Sequence, residues 1–424
     1  MGIFDKMQRR RRRKKKTVSS QGQAASKGKI PPKKLRHAHE SEQIPGHLRT
    51  LARDERLLPK PPPKYAWDKP SVLDADEARR LFSPGFRTRN RELRSLATDA
   101  TRLAELGLPV WESELELAIG LDLSVQHLRW LAVHRFDDAV CHYVQFAVPK
   151  RNGGRRVIMA PKRRLKQVQR SLLPLLVDKL PVDDHAHGFR AGRSVRTNAE
   201  PHVGRKVVVK FDLENFFGTV TFARVRGFFL ACGYSFPVAT NLALLTTEAE
   251  RQPVDVGGKL HYVPLGHRAC PQGAPTSPGI CNAIARKLDR RLAGFARSIG
   301  WSYTRYADDL TFSGNDDTKI GLLLRVVSEV VTAEGFRLQT AKTRVMRSGR
   351  AQQVTGVTVN EKLGLSRKER RKMRAAIHQL EHARAEGAPR PDDEDALRGK
   401  LAYLEMLNPA QAAALHAQWS PPEQ

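Results

Sequence analysis

Runs of apolar residues predict three short strands in the middle of the chain. Lys206–Phe211 is a β-branched, apolar run that is followed at once by Asp212. Tyr303–Tyr306 and Leu310–Phe312 are rich in aromatic, β-branched and leucine residues, as expected of strands. The small and polar residues 307–309 between these two runs suit a tight turn. We therefore expect a hairpin with two adjacent acidic residues at its tip.

Apolar residues that recur every three or four positions predict helices on both sides of these strands. The predicted helices are Asp74–Phe82, Asn90–Leu106, Val125–His134, Leu165–Leu180, Ala283–Leu292, Thr318–Glu334 and Arg367–Arg384. Ser124 and Ser366 stand directly before two of them, where a hydroxyl caps the first turn. Strands and helices mixed in this way predict an α+β fold.

A second hairpin is predicted where an alternating strand from His142 meets an Asn-Gly turn and a further strand. Lys150, Arg155 and Arg156 crowd the tip of this hairpin. Guanidinium and ammonium groups bind phosphates by charge and by paired hydrogen bonds. The tip is therefore a candidate triphosphate site, although an ordinary basic hairpin has the same composition.

Three carboxylates form the candidate catalytic group. Asp212 ends a strand that reads as buried, where a charge is costly unless something requires it. Asp308 and Asp309 are neighbours in the turn, and two adjacent anions repel unless cations are bound. Oxygen ligands favour Mg²⁺, with Mn²⁺ as an alternative. Three such groups can hold two ions about 3.5–4 Å apart, the geometry of phosphoryl transfer. A bare Asp-Asp pair also occurs in solvated surface turns.

Charge changes the picture by pointing to a polyanion. The 424 residues include 74 Lys and Arg against 44 Asp and Glu, a formal charge of +30. Nucleic acid or an anionic membrane surface fits such an excess. No apolar run approaches the about 20 residues of a membrane span, which favours nucleic acid and predicts no membrane partner. The four cysteines are scattered, which fits the reducing cytoplasm and argues against a disulfide framework.

Composition also divides the chain. Residues 1–70 contain the cationic run Arg9–Lys16 and are expected to be a disordered basic extension with non-specific affinity for nucleic acid. Residues 71–136 are predicted to be a helical N-terminal region. Residues 137–350 carry the predicted strands and acids, and residues 351–424 carry the basic helix.

The order of these motifs resembles that of right-hand polymerases with fingers, palm and thumb, and Tyr-Ala-Asp-Asp is typical of reverse transcriptases. Asn198-Ala-Glu-Pro-His202 matches the Asn-Ala-x-x-His signature of retron reverse transcriptases, and Val354-Thr355-Gly356 matches their Val-Thr-Gly triplet. The resemblance covers the chain from about Tyr143 to Asn360.

The resemblance implies roles for further residues. Arg156 would grip the incoming nucleotide, with Lys150 and Arg155 beside it. Phe217 would exclude a ribose 2′-hydroxyl, and Lys342 would protonate the leaving pyrophosphate. Further implied positions are the nucleotide-binding Gln272 and Gly273, the metal-binding carbonyl of Leu213, and the RNA-binding residues Asn198, His202, Val354, Thr355, Gly356, Arg367, Arg370, Arg371 and Arg374.

For such a family member, the implied function is an RNA-directed DNA polymerase that copies its own structured non-coding RNA into multicopy single-stranded DNA. Synthesis would be primed from an RNA 2′-hydroxyl, would use deoxynucleoside triphosphates, and would serve phage defence with an effector or toxin protein. Two alternatives stay open. A group II intron or other bacterial reverse transcriptase would be expected to carry a maturase or endonuclease extension. A non-catalytic RNA-binding scaffold would not need three intact carboxylates.

Overall fold

A computed structural model describes residues 97–132, 141–149, 155–256, 259–387 and 391–419. The chain divides into two compact units, Met1–Asp74 and Ala75–Gln424, and every described residue belongs to the second. The predictions for the basic extension 1–70, for the helix Asp74–Phe82 and for Lys150 therefore lie outside the described residues.

Most predicted helices are confirmed, with shifted ends. Within the described ranges, the α-helices are α1 (Ala100–Glu105), α2 (Glu114–Gly120), α3 (Val125–Ala132), α4 (Arg163–Leu175), α5 (Val195–Ala199), α6 (Phe216–Thr219), α7 (Phe222–Cys232), α8 (Phe236–Thr246), α9 (Ser277–Ile284), α10 (Arg286–Ser298), α11 (Ile320–Ala333), α12 (Arg367–Ala385), α13 (Pro391–Leu407) and α14 (Pro409–His416). The hydroxyl of Ser366 caps α12 by accepting a hydrogen bond from the Glu369 amide at 3.2 Å. The first part of the predicted helix Asn90–Leu106 lies outside the described residues, and within them α1 begins at Ala100, where the side chain of Asp99 caps it.

In the described part of the chain, the strands form four separate antiparallel sheets. The strands are β1 (Tyr143–Pro149), β2 (Arg155–Pro161), β3 (Val207–Asp212), β4 (Arg251–Val256), β5 (Lys259–Pro264), β6 (Ser302–Tyr306), β7 (Asp309–Gly314), β8 (Arg344–Arg347), β9 (Gln353–Val354) and β10 (Val357–Thr358). The central sheet, the palm sheet, has the order β6–β7–β3–β8, and the hairpins β1–β2, β4–β5 and β9–β10 stand apart from it.

The central position of strand β3 explains the run of valines in its sequence. It lies between β7 and β8, and its three valines are buried. Successive side chains of a strand point to opposite faces. Val207 and Val209 accordingly pack in the main core with the palm helices, whereas Val208 packs in a second cluster with Val354 and Val357 of the β9–β10 hairpin. The face that carries Val208 also carries Lys210 and Asp212.

The last three helices have a core of their own. Helices α12, α13 and α14 bury a cluster formed by Met373, Ile377, Leu380, Leu397, Leu401, Leu404, Ala412, Leu415 and Trp419. The apolar residues of α12 recur at three and four positions on one side, so its basic residues lie on the other. This arrangement fits a thumb that packs by itself next to the palm.

By residue pattern alone, Gly335–Arg344 is predicted to be a strand followed by a loop and Gln353–Asn360 to be a strand, and the structure corrects both. The stretch from Gly335 forms a single turn of 3₁₀ helix at Thr340–Lys342, and only Arg344–Arg347 pairs as a strand. The stretch Gln353–Asn360 is not one strand but a tight hairpin. Its two turn residues have positive φ, 49° at Thr355 and 85° at Gly356, the conformation that a type I′ hairpin turn requires.

Candidate active site

The two strands that carry the predicted acids meet at one end of the palm sheet. Strands β3 and β7 pair antiparallel with Asp212 directly opposite Asp309. Asp308 lies in the turn between β6 and β7, and its backbone carbonyl accepts a hydrogen bond from the Leu213 amide at 2.9 Å. The turn is possible because Ala307, a small residue, adopts a φ of 57°. Pairing thus brings together three carboxylates that are nearly a hundred positions apart in sequence.

Two lysines accompany these carboxylates. Lys342 donates hydrogen bonds from Nζ to both carboxylate oxygens of Asp212 at 2.8 Å. Lys210 lies 3.3 Å from Asp309 through Nζ and Oδ2. Sequence reasoning singled out Lys342 but missed Lys210. The signal was present, because residues two apart on a strand face the same way and Lys210 precedes Asp212 by two.

The surroundings of Asp308 favour its protonated form. Burial raises the pKa of Asp308 above its usual value, and the negative charges of Asp212 and Asp309 raise it further. A carboxylate in this position is stabilised in its charged form by a cation nearby. A divalent ion bound at the acid cluster would therefore favour the charged form of Asp308.

The donor chemistry of the cluster fits a hard divalent cation. All three side chains offer carboxylate oxygens, which suit Mg²⁺ or Mn²⁺ better than zinc. Among the residues that the structure describes, no three His, Cys, Asp or Glu side chains converge closely enough to form a ready metal cage. The ammonium groups of Lys210 and Lys342 instead balance the charge of two of the acids.

A cavity of about 230 Å³ lies beside the acids. It is lined by Lys210, Phe211, Asp212, Asp309, Lys342, Arg344, Met346, Gln353 and Gly356. The cavity therefore joins the catalytic end of the palm sheet to the β9–β10 turn. Apart from the two acids, the charged residues of its lining are the cations Lys210, Lys342 and Arg344, which suit the phosphodiester backbone of a nucleic acid strand.

A buried ion pair stabilises the turn that carries Asp308. Arg305 on β6 is fully buried and binds Asp289 on α10 through two parallel hydrogen bonds of 2.8 and 2.7 Å. Burial disfavours the guanidinium charge, but the carboxylate of Asp289 outweighs it and holds the pKa of Arg305 above its ordinary value. Arg305 also donates to the carbonyl of Ala307 at 3.1 Å. In the sequence, Asp289 stands before Arg290 and Arg291 and is a candidate for a structural ion pair, but the pattern does not identify Arg305 as its partner.

The same arginine connects the turn to α9. Arg305 donates to the side-chain oxygen of Asn282 at 2.8 Å, and Asn282 donates to the carbonyl of Gly188 at 2.8 Å. Gly188 lies so close to the acidic turn that a Cβ there would stand 2.7 Å from the backbone nitrogen of Ala307. A side chain at position 188 would therefore displace the turn that carries the acids.

The predicted nucleotide-binding residues surround the same end of the sheet. Phe217 follows the acid-bearing strand and is half-buried against Phe216. The carbonyl of Gln272 accepts a hydrogen bond from the Met159 amide on β2 at 2.9 Å. Gly273 is exposed, with a φ of 126°, and a Cβ there would stand 2.8 Å from the Met159 carbonyl. The turn before α9 therefore packs against the hairpin β1–β2, which carries the exposed Arg155 and Arg156 on β2.

The two retron-like signatures meet in space. The side-chain amide of Asn198 donates to the hydroxyl of Thr355 at 3.5 Å, although 157 positions separate them. Both ring nitrogens of His202 form hydrogen bonds, one with Ser313 at 2.7 Å and one with Thr304 at 2.8 Å. Burial lowers the pKa of His202 to about 3, so the ring is neutral.

Asn198, His202 and Val354, which the resemblance predicts to bind RNA, are buried in this structure. Each side chain is at most 1% exposed and packs or hydrogen-bonds inside the protein. A group that is closed to water is also closed to RNA. Asn198 contacts the β9–β10 turn through Thr355, whereas His202 bonds to the palm strands β6 and β7. Of the two signatures, Glu200, Pro201, Thr355 and Gly356 reach the surface.

The basic residues of the thumb helix α12 differ in accessibility. Arg367, Arg371 and Arg374 are exposed. Arg370 is half-buried, and its Nε atom is buried without a hydrogen-bond partner. Three of the four predicted arginines can therefore reach a polyanion directly, whereas Arg370 also takes part in packing.

An antiparallel palm sheet with paired acids at its tip, flanked by a basic hairpin and a helical thumb, defines a template-directed nucleic acid polymerase of the right-hand class. Residues 148–369 match the family model described as reverse transcriptase (RNA-dependent DNA polymerase). The chain belongs to the reverse transcriptase family, in its retron group, and is an RNA-directed DNA polymerase.

Curated relatives place the chain among retron enzymes. The Retron Mx65 reverse transcriptase of Myxococcus xanthus is 55% identical over 375 residues, which is 88% of this chain and 86% of the relative. The Retron Mx162 reverse transcriptase of the same organism is 45% identical, over 80% of this chain and 71% of the relative. The Retron Ec86 reverse transcriptase of Escherichia coli is 33% identical, over 66% of this chain and 81% of the relative.

Two further findings concern membrane-spanning helices and the cysteines. None of the helices in the described ranges combines the length and apolar character needed to cross a membrane. All four cysteines are free and buried. A reverse transcriptase acts on an RNA template with DNA and nucleotides and depends in general on a divalent metal, which agrees with the acid cluster and the basic surface.

Proposed function

We propose that this enzyme copies a structured non-coding RNA from its own locus into multicopy single-stranded DNA. The proposed primer is a 2′-hydroxyl of that RNA, and the proposed setting is phage defence in the cytoplasm, together with an effector or toxin protein. The observation that carries the proposal is the contact of Asn198 with Thr355, because it joins the two retron-like signatures next to Gly356, which lines the same cavity as Asp212 and Asp309.

In the proposed reaction, the primer hydroxyl attacks the α-phosphate of a deoxynucleotide. A new phosphodiester bond forms, the bond between the α-phosphorus and the bridging oxygen breaks, and pyrophosphate leaves. Asp212, Asp308 and Asp309 would hold two Mg²⁺ ions, with the Leu213 carbonyl as a further ligand. Bound metal supplies charge stabilisation and lowers the pKa of the attacking hydroxyl.

Other side chains would bind and orient the nucleotide. Arg155 and Arg156 supply positive charge on the hairpin that packs against Gln272 and Gly273, and Lys150 is proposed to act with them. The proton for the leaving pyrophosphate is assigned to Lys342, whose Nζ lies among the acids. An ammonium group in this position can donate a proton as charge develops on the leaving oxygen.

We expect Phe217→Ala to raise ribonucleotide incorporation relative to deoxynucleotide incorporation by about 10- to 100-fold, the range for a lost contact in a shaped pocket. The half-buried ring stands five residues after Asp212, in helix α6, where it would exclude a 2′-hydroxyl. The measurement is kcat/KM for each nucleotide in primer extension. Phe217→Tyr, which keeps the ring, is the matched control. An unchanged ratio in an active Phe217→Ala enzyme would assign the selection to another group.

RNA choice is proposed to depend on the thumb and general affinity on the N-terminal extension. Neutralising Arg367, Arg371 and Arg374 as Gln should lower preference for the cognate RNA by about tenfold, similar to one lost specific contact. Arg370 is left intact because its half-buried side chain also packs. Deleting Met1–Lys16 should weaken binding of all RNAs about equally and flatten the salt dependence.

The measurement is competition between cognate and scrambled RNA at two salt concentrations. A charge-matched control neutralises Arg290, Arg297 and Arg325, which are exposed on the palm helices α10 and α11. Discrimination that disappears with the deletion and survives the thumb substitutions would reverse the assignment.

The proposed function itself is tested by purifying the enzyme from its native host and sequencing the nucleic acid bound to it. We expect one RNA from the neighbouring locus, with DNA complementary to part of it and joined to it by a 2′–5′ linkage. Debranching enzyme should then release the DNA from the RNA. Unbranched DNA copied from many unrelated RNAs would instead favour a general bacterial reverse transcriptase.

A further inference from the structure

Phe189 has an unusual combination of backbone and exposure. Its φ is 58°, in the left-handed region that a bulky side chain rarely adopts. Its side chain is nevertheless 55% exposed, so the ring contributes little to the hydrophobic core. Backbone strain of this kind persists where the surroundings impose it, and such residues cluster at functional sites.

The surroundings do impose this conformation, because the residues just before Phe189 are held against the catalytic turn. The amide of His187 donates to the carbonyl of Arg305 at 2.8 Å, and the amide of Arg305 donates to the carbonyl of His185 at 2.7 Å. The next residue, Gly188, is held through its carbonyl by Asn282. The chain must therefore turn at Phe189, at a point fixed relative to the acids.

The ring of Phe189 lies next to the ring of Phe217. Their centroids are 6.3 Å apart at an angle of 58°, within the range of interacting aromatic pairs. Phe217 also contacts the buried ring of Phe216, with 5.5 Å between the ring centroids, and Phe216 in turn stacks on Phe336. Phe217 thus has two aromatic neighbours, the buried Phe216 and the exposed Phe189.

We propose that Phe189 is a specificity-determining residue for deoxynucleotide selection, because its ring limits the movement of the Phe217 ring. This inference rests on the proposed role of Phe217. This role explains why an aromatic residue occupies a strained position. Gly or Asn would suit the backbone better but would leave Phe217 without its exposed aromatic neighbour. Phe189 acts through Phe217 and is a positioning residue.

The test compares kcat/KM for deoxynucleotides and ribonucleotides in Phe189→Ala, Phe189→Asn and Phe189→Tyr. Loss of the ring should lower the preference for deoxynucleotides by about 2- to 10-fold, the size of one aromatic pair contact. Phe189→Asn tolerates the positive φ and should lower the preference equally, which separates the ring from backbone strain. Phe189→Tyr should retain the preference. Ile119→Ala, at an exposed position on α2, is the surface control.

A double-mutant cycle with Phe217→Ala distinguishes this inference from the proposed role of Phe217. We expect Phe189→Ala to add nothing to the nucleotide preference of Phe217→Ala, because the ring it positions is gone. A changed preference in Phe217→Ala with an unchanged one in Phe189→Ala would overturn the inference alone. An unchanged preference in Phe217→Ala would overturn both proposals. Equal losses of efficiency for both nucleotides in Phe189→Ala would indicate a contact with the template and would also overturn the inference.

Discussion

Asp308→Ala and Asp309→Ala should each lower DNA synthesis by about 10³-fold, equivalent to about 4 kcal/mol of lost transition-state stabilisation. Each substitution removes a carboxylate from the cluster proposed to hold the metal ions. RNA binding should stay within about twofold of the wild type, because phosphate contacts come from basic residues elsewhere. Primer extension and equilibrium RNA binding are measured on the same preparations.

Asp317→Ala is the matched control, because Asp317 is an exposed acid a few residues beyond strand β7, which begins at Asp309. The folded state should tolerate the two catalytic substitutions, since Asp308 loses a buried carboxylate that faces two other acids. Near wild-type synthesis by both variants would contradict the assignment of the acids. Loss of RNA binding together with synthesis would instead indicate a folding defect.

Arg305→Ala should lower the free energy of unfolding by about 3–5 kcal/mol, because it leaves the charge of Asp289 buried without its partner. The variant should also lose polymerase activity, since Arg305 holds the Ala307 carbonyl and Asn282. Denaturant unfolding gives the free energy, and primer extension at a temperature where the variant stays folded gives the activity.

The matched control removes both charges. Arg305→Met combined with Asp289→Leu should be considerably more stable than Arg305→Ala, because neither charge is left unpaired in the core. Its activity should nevertheless stay low, because the hydrogen bonds to the acidic turn are missing. A loss of less than about 1 kcal/mol in Arg305→Ala would mean that the buried pair contributes little to stability.

Local patterns in the sequence were sufficient for the elements that carry the acids. The apolar run before Asp212 and the aromatic residues around Asp308 predicted the strands that pair in the palm sheet. Ser366 predicted the start of α12, because a cap depends only on residues within one turn. Such signals are short in range, so they can be interpreted without knowing the fold.

Local patterns failed where one conformation depends on a distant partner. The alternating residues of Gln353–Asn360 read as one strand, but the chain reverses at Thr355, where the amide of Asn198 meets the hydroxyl. The signature that contains His202 does not reveal that Ser313 and Thr304 satisfy both ring nitrogens of this histidine in the core. A polar residue type does not reveal whether its hydrogen-bond partner is water or protein.

The amino-acid sequence alone was enough to predict the strands around the three acids, several of the helices and the family, because these depend on local periodicity and on motif order. Only the tertiary structure decided which side chains support the acids. Arg305 forms hydrogen bonds with Asp289 and Asn282 on neighbouring helices, and the ring of Phe189 lies next to the ring of Phe217. These contacts join segments whose separation in sequence carries no information about distance, and they exist because packing of the palm core brings those faces together.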